Sequence, residues 1–228
     1  MSSTATAIDA VIFDMDGVLI DSEPLWHEAE IQAFAGFGLA LTVEQCAQTT
    51  GVRVDCVVGH WQLLHPEILG GIAPEQIVDA IVSAVVDRIA RRGVPMLGAV
   101  EAVAAVAARG KKLGLASSSP PAVIDAVLAR LGVAGAFADV RSGWWLPRAK
   151  PDPQIYLDAC TALGVEPGRA IAVEDSESGL KSAIAAGLVV CALPDRRMPV
   201  PPSVARAHYV LESLRELDDV VVALDRRG

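Results

Sequence analysis

Residues 10 to 24, "AVIFDMDGVLIDSEP", carry an apolar run that ends in two aspartates, Asp14 and Asp16, followed by a glycine. Val11-Ile12-Phe13 reads as a buried strand. Residues two apart on a strand point to one face, so the two carboxylates are expected to look into a common space. Like charges held that close repel unless a cation neutralises them. Mg²⁺ does so with carboxylate and carbonyl oxygens and keeps positions open for phosphate oxygens. The plainer account is a solvated acidic turn, and Asp-x-Asp-Gly alone does not choose between the two.

Three further clusters bear on the choice. "LGLASSSP" ends an apolar run in Ser117-Ser118-Ser119, "LPRAKPDP" puts Lys150 just ahead of a helical stretch, and "AIAVEDSESG" ends another apolar run in Glu174-Asp175. Placed at strand ends of one sheet, they would share a rim with Asp14 and Asp16, and each has a task in phosphoryl transfer. Asp14 can attack phosphorus as a carboxylate nucleophile. Asp16 can protonate the leaving oxygen and then take a proton from water. Ser117, with Ser118 and the amides that follow, can donate to phosphoryl oxygens. Lys150 supplies a point charge against the nucleophile and the phosphoryl group, and Asp175, with Glu174 beside or behind it, completes a Mg²⁺ shell with Asp14 and Asp16. Singly, each is ordinary: the serines an N-cap stretch, the lysine a solvated side chain, the acidic pair a cap for a helix beginning near Ser176.

The elements that must position these groups follow from periodicity. From Glu23 to Arg92 the pattern is helical throughout, with Pro24 suited to a first turn, an end signal at Gly36-Phe37-Gly38, and Pro74 and Gly93 bracketing a last helix. From Val94 onward helices alternate with short apolar strands: "KLGLA", "FADV", "AIAVED" and "VVCAL". Such alternation predicts an α/β fold, a Rossmann-like parallel-sheet core with helices on both faces, and ligands at the carboxyl ends of the strands. The expected organisation is a core of residues 1–21 and 94–228 with an all-helical cap domain, 22–93, inserted and setting substrate specificity.

Composition narrows the partners. The net charge is −9, and the basic residues form only short pairs such as Arg91-Arg92 and Lys111-Lys112, which disfavours nucleic acid. Hydrophobic residues make up 52% and mean hydropathy is +0.41, yet no apolar run is long enough to span a bilayer. "MSSTATAIDA" lacks the charged and apolar regions of a secretory signal, so a cytoplasmic location is expected. Cys46, Cys56, Cys160 and Cys191 show no metal or disulfide spacing.

The motifs "DMDGVLIDSEP", "LASSSP", "KPDPQIY" and "VEDSESGLKSAIAAG", in this order and spacing, resemble the haloacid dehalogenase (HAD) superfamily of phosphohydrolases, in the branch with a helical cap after the first strand. The resemblance spans essentially the whole chain. It implies Asp14 as nucleophile, Asp16 as acid/base with its main-chain carbonyl on the metal, Ser117 as phosphate binder, Lys150 as charge stabiliser and Asp175 as Mg²⁺ ligand. Within the superfamily the chain is most similar to sugar-phosphate phosphatases of the 2-deoxyglucose-6-phosphate and hexitol phosphate type. The expectation is therefore a Mg²⁺-dependent hydrolase, a monomer, that removes phosphate from a small phosphorylated sugar or sugar alcohol through an aspartyl phosphate.

Two other functions compete. The β-phosphoglucomutase branch places a histidine where this chain has Trp26, and a lysine and an asparagine where it has Pro120 and Pro121, so a mutase is disfavoured. A catalytically idle, metabolite-binding or partner-binding member would be expected to lack a catalytic group, and none is missing. Around the insertion, Trp26 and Arg53 are the side chains expected to reach substrate. His27 lies about 100° around the helix from Trp26 and need not replace the histidine. His60 and His65, near Trp61, read as packing residues, and Trp144-Trp145 as a loop folded on itself or a contact for the insertion.

Overall fold

The computed structural model describes residues 7–226. Met1–Thr6, on which the expectation of no secretory signal partly rests, lie outside the described residues.

β1 (Ala10–Phe13) is apolar and fully buried, as a strand must be when helices cover both faces of its sheet. It lies inside a six-stranded parallel sheet of order β3-β2-β1-β4-β5-β6. The other strands are β2 (Lys112–Ser117), β3 (Asp139–Ser142), β4 (Ala170–Glu174), β5 (Val189–Ala192) and β6 (Tyr209–Val210). The period of two divides the core: Val11 and Phe13 join one buried cluster with Leu115 and Val173, whereas Ala10 and Ile12 join a second with Ala116 and Ala172. Small residues on the second face let helices α8 (Gln154–Leu163) and α9 (Glu177–Ala186) approach closely. A Cβ on Gly114 would sit 3.0 Å from Leu163 Cδ1.

The chain leaves β1, makes five helices, and returns to the sheet region: α1 (Glu23–Gly36), α2 (Val43–Cys46), α3 (Val54–Leu64), α4 (Pro66–Leu69) and α5 (Pro74–Arg92). No strand interrupts residues 23–92. The outgoing and returning segments run side by side, with Asp21 N donating to Val94 O (3.0 Å) and Met96 N to Leu19 O (3.0 Å). α5 packs on α1 within the insertion and on α7 (Pro121–Leu131) of the sheet layers. α6 (Ala99–Ala108) then leads into β2.

Three readings from the sequence need correction. The strand expected at "FADV" is displaced to Asp139–Ser142: an edge strand needs no continuous apolar run, because its exposed margin tolerates polar residues. β6 and the last helix, α10 (Leu217–Asp225), were not anticipated, β6 because two residues carry no readable period. Finally, β1 stops at Phe13, so Asp14 and Asp16 do not share a strand face. Gly17 (φ +74°) and the hydrogen bonds Gly17 N to Ile20 O and Leu19 N to Met15 O fold the chain into a turn that gives the two carboxylates different hydrogen-bond partners, although both still line one cavity. Among the described residues no helix is long and apolar enough to cross a membrane.

Candidate active site

Asp14 continues the sheet ladder one residue past β1, its N–H donating to Val173 O at 3.0 Å. Since Phe13 is in register with Leu115 on one side and Val173 on the other, Asp14 emerges level with the ends of β2 and β4. Lys150, from the loop before α8, enters that gap. Its Nζ donates to Asp14 Oδ1 (2.7 Å), Glu174 Oε1 (2.7 Å) and the Ala116 carbonyl (2.8 Å). All three donor positions are spent, and the side chain is only 6% exposed, so Lys150 is not a solvated lysine. Tyr156 Oη donates to the same Glu174 oxygen at 2.6 Å. Glu174 is fully buried, and α9 lies so close that a Cβ on Gly179 would fall 2.0 Å from Oε2.

Asp175 extends the acidic group: Asp14, Glu174 and Asp175 offer ligand oxygens that all lie within 4.8 Å of one another. Gly17 makes room for Asp175, since a Cβ there would stand 2.0 Å from Oδ2. Neither acid caps α9, a task that falls to Ser176, whose Oγ accepts from Gly179 N at 3.0 Å. Burial, the Asp14 carboxylate and Glu174 push Asp175 well above the usual carboxylate range. Burial likewise pushes Asp14 up to about 7, against the pull of Lys150. For Lys150, burial favours the neutral amine, but Asp14 and Glu174 outweigh it and hold the ammonium above its ordinary value. One lysine thus faces three carboxylates. This excess of negative charge, set around oxygens only, fits a hard divalent cation better than zinc, which would take His or Cys.

Asp16 is held apart from that group. Oδ1 accepts from Ser22 Oγ (2.5 Å) and Trp26 Nε1 (3.1 Å), and Oδ2 accepts from Ser119 Oγ (2.7 Å). Ser22 is the N-cap residue of α1 but makes no capping hydrogen bond with its side chain, which turns to Asp16 instead. The Asp16 carboxyl is thus held by Ser22, Trp26 and Ser119 and is not one of the three carboxylates of the acidic cluster. Ser117 is buried at the end of β2, with Oγ accepting from Ser119 N at 3.1 Å. The serines do not cap the next helix: the N-cap of α7 is Pro120.

These groups open onto a cavity of about 640 Å³ whose opposite wall is the insertion. Trp26, Arg53, Ser117, Ser118, Lys150 and Asp175 all line it. Trp26 therefore lies against the expected acid/base rather than reaching substrate alone. Arg53 has little left for substrate: it forks onto Asp55 (both contacts 2.8 Å) and donates to the carbonyls of Gly143 (3.3 Å) and Leu146 (3.0 Å), tying the insertion to the loop after β3. Its guanidinium also lies 5.9 Å from the Trp144 ring centroid, so Trp144 does meet the insertion, whereas Trp145 is 77% exposed. His60 and His65 pack against Trp61. Sequence reasoning missed Glu23, Glu30, Ser119 and Arg197. Glu23, Trp26, His27 and Glu30 recur at i, i+3, i+4 and i+7, one face of α1, and this polar stripe was legible beside the Asp-x-Asp turn. Arg197 lies on the loop after β5 and forks onto Asp21 (3.0 and 2.8 Å), a pairing no local pattern could reveal.

A central parallel strand with a carboxylate at its tip, a buried lysine and an acidic cluster at the neighbouring strand ends thus meet on one rim of the sheet. The family model for haloacid dehalogenase-like hydrolases matches residues 8–187, and the chain belongs to that family. It is 35% identical over 216 residues to hexitol phosphatase B of Escherichia coli strain K12, covering 94% of this chain and 96% of the relative. A 6-phosphogluconate phosphatase of the same strain is 31% identical over 216 residues, covering 92% and 94%. Among solved structures, CbbY of Rhodobacter sphaeroides in complex with xylulose 1,5-bisphosphate superposes with a TM-score of 0.82 at 26% identity, over 92% of this chain and 96% of that one.

Proposed function

We propose that the protein is a Mg²⁺-dependent phosphatase of small phosphorylated sugars or sugar alcohols, with residues 22–93 acting as the cap over its site. The observation that carries this reading is the shared bonding of Lys150 to Asp14 Oδ1 and Glu174 Oε1 at 2.7 Å each, beside an Asp16 held by three donors. Similarity to hexitol phosphatase B over nearly the whole chain supports the substrate class.

In this reading Asp14 attacks phosphorus through Oδ2, the oxygen that Lys150 does not bind, and forms an aspartyl phosphate. Lys150 and Ser117 orient the phosphoryl oxygens. Asp16 gives its proton to the leaving oxygen and then removes one from the attacking water; its bonds to Ser22, Trp26 and Ser119 fix the carboxyl for both steps. Asp14 and Asp175, with the Asp16 carbonyl, would hold Mg²⁺, while Glu174 serves chiefly to aim Lys150. When bound, the metal would let Asp14 and Asp175 stay ionised where burial favours their protonated forms, and would help neutralise the phosphoryl group.

A mutase would need donors for a second phosphate on the insertion side. Trp26 spends its single N–H on Asp16, and Arg53 is already bonded, so water is the better acceptor. Phosphorus NMR on β-glucose 1-phosphate tests this: free phosphate supports a phosphatase, whereas accumulation of glucose 6-phosphate without free phosphate overturns it. Exhaustive chelation should abolish turnover and Mg²⁺ restore it; full activity without metal would remove the metal from the proposal.

A further inference from the structure

The wall of the cavity facing Asp14 is acidic, and its most buried member has no assigned task. Glu30, two turns beyond Glu23 on α1, lines the cavity, is 5% exposed, and its Oε2 has no hydrogen-bond partner. A buried acceptor without a donor is uncommon, and a ligand is one of the few things that explains it. The Glu30 carboxyl meets the Cys46 thiol yet leaves Oε2 unpartnered, whereas the Glu23 carboxyl lies 3.5 Å from His27 Nε2 and is hydrogen-bonded to Thr50.

No free cation offsets this wall among the described residues. Arg53 is bonded to Asp55 and to two carbonyls, Arg197 is bonded to Asp21 and Asp195, and His27 is hydrogen-bonded to Thr50 while burial holds it below its ordinary value. A substrate's phosphate would therefore meet Lys150 at the sheet rim, while the rest of the molecule meets carboxyl groups. Carboxyls hydrogen-bond hydroxyls whether ionised, as acceptors, or protonated, as donors. Once ionised, they repel a second phosphate or a carboxylate.

We propose that Glu30 is a specificity-determining residue that binds a hydroxyl at the end of the substrate remote from phosphate, and that the wall it shares with Glu23 restricts the site to monophosphates without a second anionic group. This deepens the phosphatase reading and rests on it. It also separates the chain from two of its relatives, one named for 6-phosphogluconate and one solved with a bisphosphate.

Glucitol 6-phosphate and 6-phosphogluconate share a carbon chain and differ at the remote end, a primary alcohol in one and a carboxylate in the other. Above pH about 8, where Glu30 is ionised, wild-type kcat/KM should favour the alcohol by at least about tenfold, the scale of one like-charge contact. Glu30→Gln removes the charge in nearly the same shape and should cut that ratio to about threefold or less. A merely structural role would scale both substrates together and leave the ratio unmoved. If Glu30→Gln does not fold, Glu30→Asp, which withdraws the carboxyl by one methylene, must lower the same ratio. A wild type that prefers 6-phosphogluconate, a ratio that Glu30→Gln leaves unchanged, or a wild type that cleaves acetyl phosphate but neither hexose derivative overturns the subsite alone. A wild type inert towards acetyl phosphate as well overturns the phosphatase reading itself.

Discussion

Replacing Glu30 by Gln should make the stability difference between the two proteins depend on pH. Burial pushes the Glu30 carboxyl up to about 7 from an ordinary 4.5, opposed by a weaker hydrogen bond from Cys46 on α2. Two neighbours are pushed up in part by the Glu30 charge itself, Glu23 on the same helix and Cys46 on α2, so removing it also lowers their values, an effect smaller than their own desolvation, whereas His27 remains in both proteins. Because the folded value is raised, the folded state holds this proton more tightly than the unfolded chain does. Its contribution is complete below about 4.5 and is lost as pH rises through 7. At ~1.4 kcal/mol per pH unit the loss levels off near ~3 kcal/mol. Gln cannot ionise and has no such slope. Urea titrations of both proteins at matched pH from about 5 to about 8.5 should show the variant gaining on the wild type by ~3 kcal/mol. A difference flat to within ~0.5 kcal/mol, the range typical of inconsequential surface changes, would refute the buried carboxyl.

Asp14→Asn should remove phosphate release while leaving the denaturation midpoint close to that of the wild type, because an amide is not a nucleophile for phosphorus; release at an appreciable rate would end Asp14's role. Lys150→Met should cost ~3–5 kcal/mol of stability, since Asp14 and Glu174 lose the one cation buried with them, and a loss under ~1 kcal/mol in urea titration would contradict that arrangement. Trp26→Phe keeps an aromatic ring but loses the donor to Asp16, so kcat should fall roughly tenfold with KM little changed, and more for poor leaving groups; a change confined to KM would make Trp26 a substrate contact only.

The main lines of this site were readable because chemistry and periodicity coincide in the sequence. An apolar run that stops in Asp14 or in Glu174 marks both a strand and its end, and Ser117 follows the same rule. Helical periodicity without interruption likewise revealed the insertion. Side-chain partners were not readable: the two aspartates face one cavity as their spacing suggests, but only the turn at Gly17 shows that they do so from a turn and with separate hydrogen-bond partners. Pairings between distant segments were hidden for a different reason. Arg53 carries no mark that its partners are carbonyls near residue 145, nor Arg197 that its partner is Asp21, since an exposed and a spent arginine look alike in sequence. Glu30 was passed over because an acidic residue on a helix is ordinarily solvated, and its burial comes from packing alone.

β1 is the strand nearest the N-terminus and also an interior strand of the sheet, flanked by β2 from residue 112 and β4 from residue 170. A ribosome therefore delivers this apolar strand ahead of the other five strands of the sheet, and its two neighbours long afterwards. Meanwhile both margins of Ala10–Phe13 lack partners, the circumstance in which nascent chains aggregate. The helices of residues 23–92 are the next to emerge, and α1 follows the strand after a single turn, so early helix formation there can shelter β1 until the sheet closes. The acidic cluster of Asp14, Glu174 and Asp175 cannot assemble before residue 175 has left the ribosome.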